Sequence, residues 1–142
     1  MSIILTQTDT TVGFLSQDST SLAQIKGREN GKPFLKVFAS LAELQKSLRI
    51  PLKYRSKVRH ARKTTFVIKN QAVRYVNDSI HSRLIQKYGW LYSTSANESG
   101  KEYNRDFCIS HSDIRIEDKH EFTPTEPSHI YHLTATRLEK LR

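Results

Sequence analysis

The sequence has a single cysteine, Cys108, among its 142 residues. One thiol excludes an intramolecular disulfide and a cysteine zinc cluster. No apolar run approaches the ~20 residues that cross a bilayer. The N-terminus lacks the charged start and the small-residue cleavage site of a signal peptide. These absences predict a reducing, soluble, cytoplasmic setting with no membrane partner. Six histidines show no zinc-like spacing to carboxylates, so no metal site is expected, and His129 and His132 read as strand residues. Internal repeats and low-complexity linkers are also missing. One domain over residues 1–142 is therefore the expectation, long enough to bury a core. Hydrophobic residues make up 37%, low for a globular chain but well above a disordered one. Acids are scarce, with 14 Asp and Glu against 23 Lys and Arg, a net charge of +9. A charge that far from zero concerns partners rather than fold, and it favours polyanions such as RNA, DNA or nucleotides over an anionic membrane.

Taken in order, Ser2–Leu5 and Val12–Leu15 read as short strands joined by the hydroxyl-rich turn Thr6–Thr11. Ser19 or Thr20 is placed to cap a helix carrying Leu22 and Ile25. That helix ends near Lys26-Gly27-Arg28, where a glycine stops it and two cations meet its C-terminal dipole. On spacing alone Lys26 and Arg28 read as an exposed cap and a solvated charge. Pro33–Phe38 reads as a strand. Ser40-Leu41-Ala42-Glu43 has the capping-box pattern, and Leu41, Leu44 and Leu48 continue a helical face. Thr64–Ile68 and Gln71–Val76 are β-rich. Ile80, Leu84, Ile85 and Tyr88 lie at helical spacing in Ser79–Tyr88, which Gly89 stops. Beyond Gly100 no pattern is clear until the strand Ser128–Leu133. Strands and helices mixed throughout predict an α/β or α+β domain around one twisted sheet.

Two stretches stand out chemically. The first is Ser93-Thr94-Ser95-Ala96-Asn97-Glu98-Ser99-Gly100, which follows the apolar Trp90-Leu91-Tyr92. On an extended backbone Ser93, Ser95 and Asn97 share one face, offering short neutral donors and acceptors that suit phosphate or carboxylate. The same residues also fit a strand running into a Ser/Asn-rich turn. The second runs from Arg49 to Lys63 and holds Arg49, Lys53, Arg55, Lys57, Arg59, Arg62 and Lys63, with His60 and no acid. It reads either as a solvated surface or as a sequence-independent contact to RNA phosphates. Glu102, Asp106, Asp113, Glu117 and Asp118 read as a solvated acidic face.

Three segments occur in a telling order: Thr8-Asp9-Thr10-Thr11-Val12-Gly13-Phe14, Lys26-Gly27-Arg28, and Ser93 to Gly100. Together they resemble the YrdC family, whose best-known members are threonylcarbamoyl-AMP synthases, through its T-D-T-x-x-G, K-x-R and S-x-N patterns. Thr65-Phe66-Val67, Ala72-Val73-Arg74 and Ser128-His129-Ile130 resemble three further strands of the family. The resemblance implies a twisted mixed sheet with flanking helices around a concave, positively lined cavity. It implies a nucleotidyltransferase that makes threonylcarbamoyl-adenylate from threonine, bicarbonate and ATP for tRNA modification. Carried over residue by residue, Lys26 and Arg28 become the catalytic cations. Thr8, Thr10, Arg74, Ser93, Thr94, Ser95, Asn97 and Ser128 become substrate-binding residues. ATP is then a substrate, Mg2+ accompanies it on the phosphates, and other proteins of the tRNA-modification pathway are possible partners.

The chain departs from the family pattern in places. Glu29 stands where proline commonly follows K-x-R, Ala61-Arg62-Lys63 replaces a P-G-P, and the loop between the central strands shrinks to Lys69-Asn70. These mark a trimmed member: either a minimal enzyme, or a non-catalytic YrdC-like domain that binds double-stranded RNA or tRNA. A hydrogenase-maturation type of domain ranks last, because it works inside a longer multidomain chain.

Overall fold

Apolar segments of four to six residues between turn residues are too short for helices of any stability and form strands instead. The structure is a computed structural model that describes residues 2–27, 33–77, 79–117, 122–123 and 125–142. In chain order the elements are β1 (Ile4–Gln7), β2 (Val12–Ser16), α1 (Ser19–Lys26), β3 (Leu35–Phe38) and α2 (Leu41–Ser47). A 3-10 turn (Leu52–Tyr54) and α3 (Arg55–His60) follow, then β4 (Thr64–Ile68), β5 (Gln71–Tyr75), α4 (Ser79–Tyr88) and β6 (Trp90–Ser95). The last elements are α5 (Arg105–His111), β7 (Ile114–Ile116), β8 (His129–Leu133) and β9 (Leu138–Lys140). The fold class is the mixed α/β one expected, with parallel and antiparallel strand pairings and flanking helices.

The chain forms two compact units, Met1–Phe34 with Tyr92–Glu126, and Leu35–Leu91 with Pro127–Arg142. In the first unit β2 is central, antiparallel to β1 on one side and to β6 on the other, while β7 runs parallel to β1. Its core holds Leu5, Val12, Phe14, Leu22, Ala23, Ala96 and Cys108. In the second unit β5 pairs parallel with β3 and antiparallel with β4, β4 pairs parallel with β8, and β9 closes antiparallel on β8. Phe38, Leu44, Ile50, Val58, Phe66, Val73 and Leu133 form its core.

The cap of α1 differs from the expectation. Asp18, not Ser19 or Thr20, is the N-cap, and its carboxylate accepts from the N–H groups of Thr20 and Ser21 at 3.1 and 3.2 Å. A carboxylate one position earlier reaches two orphan donors at once, and it also takes the Ser21 hydroxyl at 2.6 Å. Ser40 caps α2 as predicted, accepting from Glu43 N–H at 3.4 Å. Elements that the sequence pattern does not announce are the 3-10 turn, α3, α5, β7 and β9. They are three to seven residues long, and α3 buries only Val58, so no apolar repeat had room to show. Among the described residues no helix is long and apolar enough to cross a membrane.

Candidate functional site

In the first unit, α1 and the end of β6 bring two of the sequence motifs together. Gly27 adopts φ 67°, a left-handed conformation that costs glycine nothing, and this ends α1 with Lys26 in its last turn. The chain beyond β6 then folds back on that helix end, with Ser99 N–H donating to the Lys26 carbonyl at 2.9 Å. Lys26 is only 4% exposed, which corrects the expectation of an exposed helix-end cation. Its ammonium donates to the Ser95 carbonyl at 2.9 Å, to Asn97 Oδ1 at 2.9 Å and to Ser95 Oγ at 3.3 Å. Three polar acceptors around a buried cation compensate for much of its lost hydration.

Asn97 is not a strand residue, which corrects the picture of an alternating row. The ladder ends with Gly13 opposite Ser95 and the Ala96 N–H on the Val12 carbonyl at 2.9 Å, and Asn97 lies in the bend that follows. The side chains of Ser95 and Asn97 still meet, because Ser95 Oγ donates to Asn97 Oδ1 at 2.6 Å. Asn97 Nδ2 donates to the carbonyls of Glu98 and Lys101 at 2.8 and 2.7 Å, so the carboxamide points its oxygen at the ammonium. Ser93 is buried in the strand and Thr94 half-buried, while Ser95 is exposed.

Thr8 and Thr10 sit in the turn between β1 and β2. The Thr8 hydroxyl donates to the Thr11 carbonyl, accepts from Thr10 N–H at 3.2 Å, and lies 3.4 Å from the Thr10 hydroxyl. The turn itself thus occupies much of the hydrogen-bonding capacity assigned to a substrate. Gly13 keeps this turn close to β6, since a Cβ there would lie 3.0 Å from both the Thr8 methyl and the Thr94 carbonyl. Cys108 packs beneath, with Sγ donating to the Ala96 carbonyl at 3.1 Å. Burial pushes its thiol pKa up, and Lys26 opposes that shift only in part.

A second cluster lies wholly in the second unit. The register of β4 on β5, with Phe66 opposite Val73, brings Thr65 beside Arg74. Arg74 is 5% exposed, and its Nε and Nη2 donate to Thr65 Oγ1 at 3.2 and 2.9 Å. Two guanidinium donors occupy the lone pairs of that oxygen, so its own proton points to Ser128 Oγ, 2.8 Å away. Sequence reasoning named Arg74 and Ser128 but passed over Thr65, although the resemblance of Thr65-Phe66-Val67 to a family strand was a usable signal.

The basic run folds as a 3-10 turn and α3 of the second unit. Arg49, Lys53, Lys57, Arg59, Arg62 and Lys63 are exposed, whereas Arg55 is half-buried with Nε on the Ile50 carbonyl at 3.2 Å. The acidic residues are not merely solvated: Asp113 accepts from Ile3 N–H at 2.8 Å, and Glu117 pairs with Arg105 and Arg115 at 3.2 and 3.6 Å. Arg28, Glu29 and Asp118 lie outside the described residues. Among the described residues no three His, Cys, Asp or Glu side chains gather in a way that could hold a metal ion.

A model of the Sua5/yciO/yrdC family, described as "Telomere recombination", matches residues 2–142. No curated protein matches the chain. Among solved structures, a double variant of P. abyssi Sua5 superposes with a TM-score of 0.82 at 21% identity, covering 99% of this chain and 52% of that one. P. abyssi Sua5 complexed with L-threonine gives 0.79 at 18%, covering 99% and 50%. E. coli YciO gives 0.77 at 17%, covering 99% and 82%. The chain thus spans about half the length of the two Sua5 structures, and at these identities the likeness is one of fold.

Proposed function

The chain belongs to the Sua5/YciO/YrdC family, and on that footing we propose that it is a threonylcarbamoyl-AMP synthase-like nucleotidyltransferase. Threonine, bicarbonate and ATP are its substrates, and the threonylcarbamoyl-adenylate it releases feeds tRNA threonylcarbamoyladenosine modification by other proteins of that pathway in the cytoplasm. The observation that carries this reading is the convergence of Lys26 on the S-x-N motif, in which Lys26 Nζ meets Ser95 and Asn97 within 3.3 Å. The threonine complex of P. abyssi Sua5 supports the choice of amino acid.

The chemistry asks little covalent work of the protein. The threonine amine and bicarbonate give a carbamate with loss of water. A carbamate oxygen then forms a bond to the α-phosphorus while the bond to pyrophosphate breaks. Both reactants are anions, so the site must neutralise and align them. Lys26 is pre-positioned by its two 2.9 Å bonds, and its 3.3 Å contact to Ser95 Oγ is the one a phosphate oxygen would replace at least cost. Within the second unit, Arg74 is a fixed cation held by Thr65 Oγ1, which Ser128 meets in turn, and its guanidinium suits a carboxylate or phosphate. Magnesium would travel with the nucleotide on its phosphates and neutralise their charge, since the site's own ligands are neutral hydroxyls and a carboxamide. The test is pyrophosphate release from ATP by purified protein. Release that needs threonine and bicarbonate together is expected; release indifferent to threonine, or none, overturns the reading.

A second reading, RNA binding, is favoured by one observation: the cations of the basic run other than Arg55 are exposed, and Val58 is the one residue that α3 buries. Double-stranded RNA or tRNA would meet this surface through its phosphates.

A further inference from the structure

A cavity of about 630 Å³ lies in the second unit beside the basic run, and none of the motif residues lines it. Its lining is mostly apolar: Pro51, Leu52 and Ala135 are accessible, the nearly buried Ile68 and Leu133 lie beneath, and His132 and Thr134 add polar atoms. Leu52 is 74% exposed and adds an accessible apolar side chain to this lining. Around these walls stand Arg49, Lys53 and Lys69, all exposed, and the residues lining the cavity include no acid.

An apolar pocket ringed by cations selects a ligand that has both an apolar body and negative charge. Inorganic phosphate would leave the walls unused, and a neutral apolar group would make no use of the positive charge around them. A nucleotide satisfies both demands, because its base has a flat apolar face and its phosphate sits one sugar away. A volume of about 630 Å³ suits a ligand of that size. Lys57 and Arg59 of α3 do not line the cavity, but they are exposed on the same segment of chain as Arg49 and Lys53. We propose that the cavity seats one unstacked nucleotide of an RNA loop. Its base lies against Pro51, Leu52 and Ala135, over the buried Ile68 and Leu133, and its flanking phosphates lie on Arg49, Lys53 and Lys69. This rests on the RNA-binding reading above and deepens it from charge alone to a preference for unpaired RNA.

The experiment measures fluorescence anisotropy with two labelled RNAs of equal length, a hairpin with an unpaired loop and a blunt duplex. The protein is used as the wild type, Leu52→Ser and Lys57→Ala/Arg59→Ala. Leu52→Ser removes apolar area without touching charge, at a site too exposed to hold the fold. Wild type is expected to prefer the hairpin. Leu52→Ser is expected to weaken hairpin binding roughly tenfold, the order expected when burial of a leucine side chain is lost, and to change duplex binding less than about twofold. The double variant should weaken both RNAs alike. Equal hairpin affinity for wild type and Leu52→Ser overturns the pocket while leaving phosphate binding intact. Failure of wild type to bind either RNA overturns the RNA-binding reading and the pocket with it. Tight binding of an acidic, leucine-containing peptide that Leu52→Ser abolishes, with hairpin binding unchanged, assigns the cavity to a protein and overturns the proposal.

Discussion

Lys26 is the residue on which the candidate site turns, because it serves stability and charge at once. Its buried ammonium satisfies the Asn97 oxygen and the Ser95 carbonyl. Lys26→Ala removes these charge-assisted bonds, although Ser95 Oγ still donates to the Asn97 oxygen and Asn97 N–H to the Ser95 carbonyl, so unfolding by urea should show a loss of about 1.5–3 kcal/mol, the usual worth of a hydrogen bond to a charged group. Pyrophosphate release should fall on the order of a hundredfold, as when one stabilising donor leaves a polar transition state. An unfolding curve that superimposes on the wild type would mean the lysine is an ordinary surface cap. Asn97 makes the complementary case. Its Nδ2 donates to two carbonyls, and a carboxylate in that place would turn both attractions into repulsions while neutralising Lys26. Calorimetry should therefore find ATP bound more weakly by Asn97→Asp than by Asn97→Ala. The reverse order would place the nucleotide away from this side chain.

At the scale of elements, the β4–β5 hairpin turns under backbone constraint. Ile68 pairs with Gln71, which leaves Lys69-Asn70 as a two-residue turn with φ of 50° and 65°. Both values are left-handed, the type I′ geometry that suits the twist of the strands. Asparagine tolerates this region, but a lysine there carries a steric cost of about 1–2 kcal/mol. Lys69→Asn should recover part of it and raise the thermal midpoint by about 2–4 °C. A midpoint that stays level or drops would show that the lysine side chain supports the turn in some other way. The hairpin matters to the cluster of the second unit because its register sets Thr65 beside Arg74, so a slip of one residue would turn the guanidinium to the opposite face.

Across the whole molecule, charge and buried titratable groups set the response to salt and pH. The net charge of +9 is concentrated in part on exposed side chains of the 49–63 run. Replacing Lys57 and Arg59 together by alanine should lower the slope of log affinity against log salt for RNA by up to about 2, one for each phosphate that no longer meets a cation. An unchanged slope would leave these residues as solvated surface. On the alkaline side, burial raises the pKa values of both Cys108 and Tyr103. In the unfolded chain each group ionises at its ordinary value, so the unfolded state loses protons first as pH rises. Their contribution is complete below the ordinary thiol pKa of about 8.5 and fades as pH climbs through the raised values of the folded state. Urea unfolding at neutral pH and near pH 10 should therefore show a falling stability, with a shallower fall for Cys108→Ala. A variant that falls as steeply as the wild type would remove the thiol from this account.

Local chemistry was legible in the sequence wherever the information is local. The glycine after Lys26, the serine before Leu41, the strand Thr64–Ile68 and the helix Ser79–Tyr88 all announce themselves, because caps, turns and side-chain periodicity act over a few residues. Family membership was legible too, since ordered motifs survive where individual spacings do not. The short elements α3, α5, β7 and β9 were not, because three to seven residues hold no periodic pattern and owe their form to what they pack on. Nor could sequence bury Lys26, bend the chain at Asn97 or aim Thr65 at Arg74. Lys26 and Asn97 are 71 positions apart, and their meeting depends on strand register and on the chain folding back after β6. Composition and short motifs determined which groups this protein has to work with. Only the tertiary structure decided which of them lose water, because desolvation and pairing depend on neighbours that the order of residues does not name.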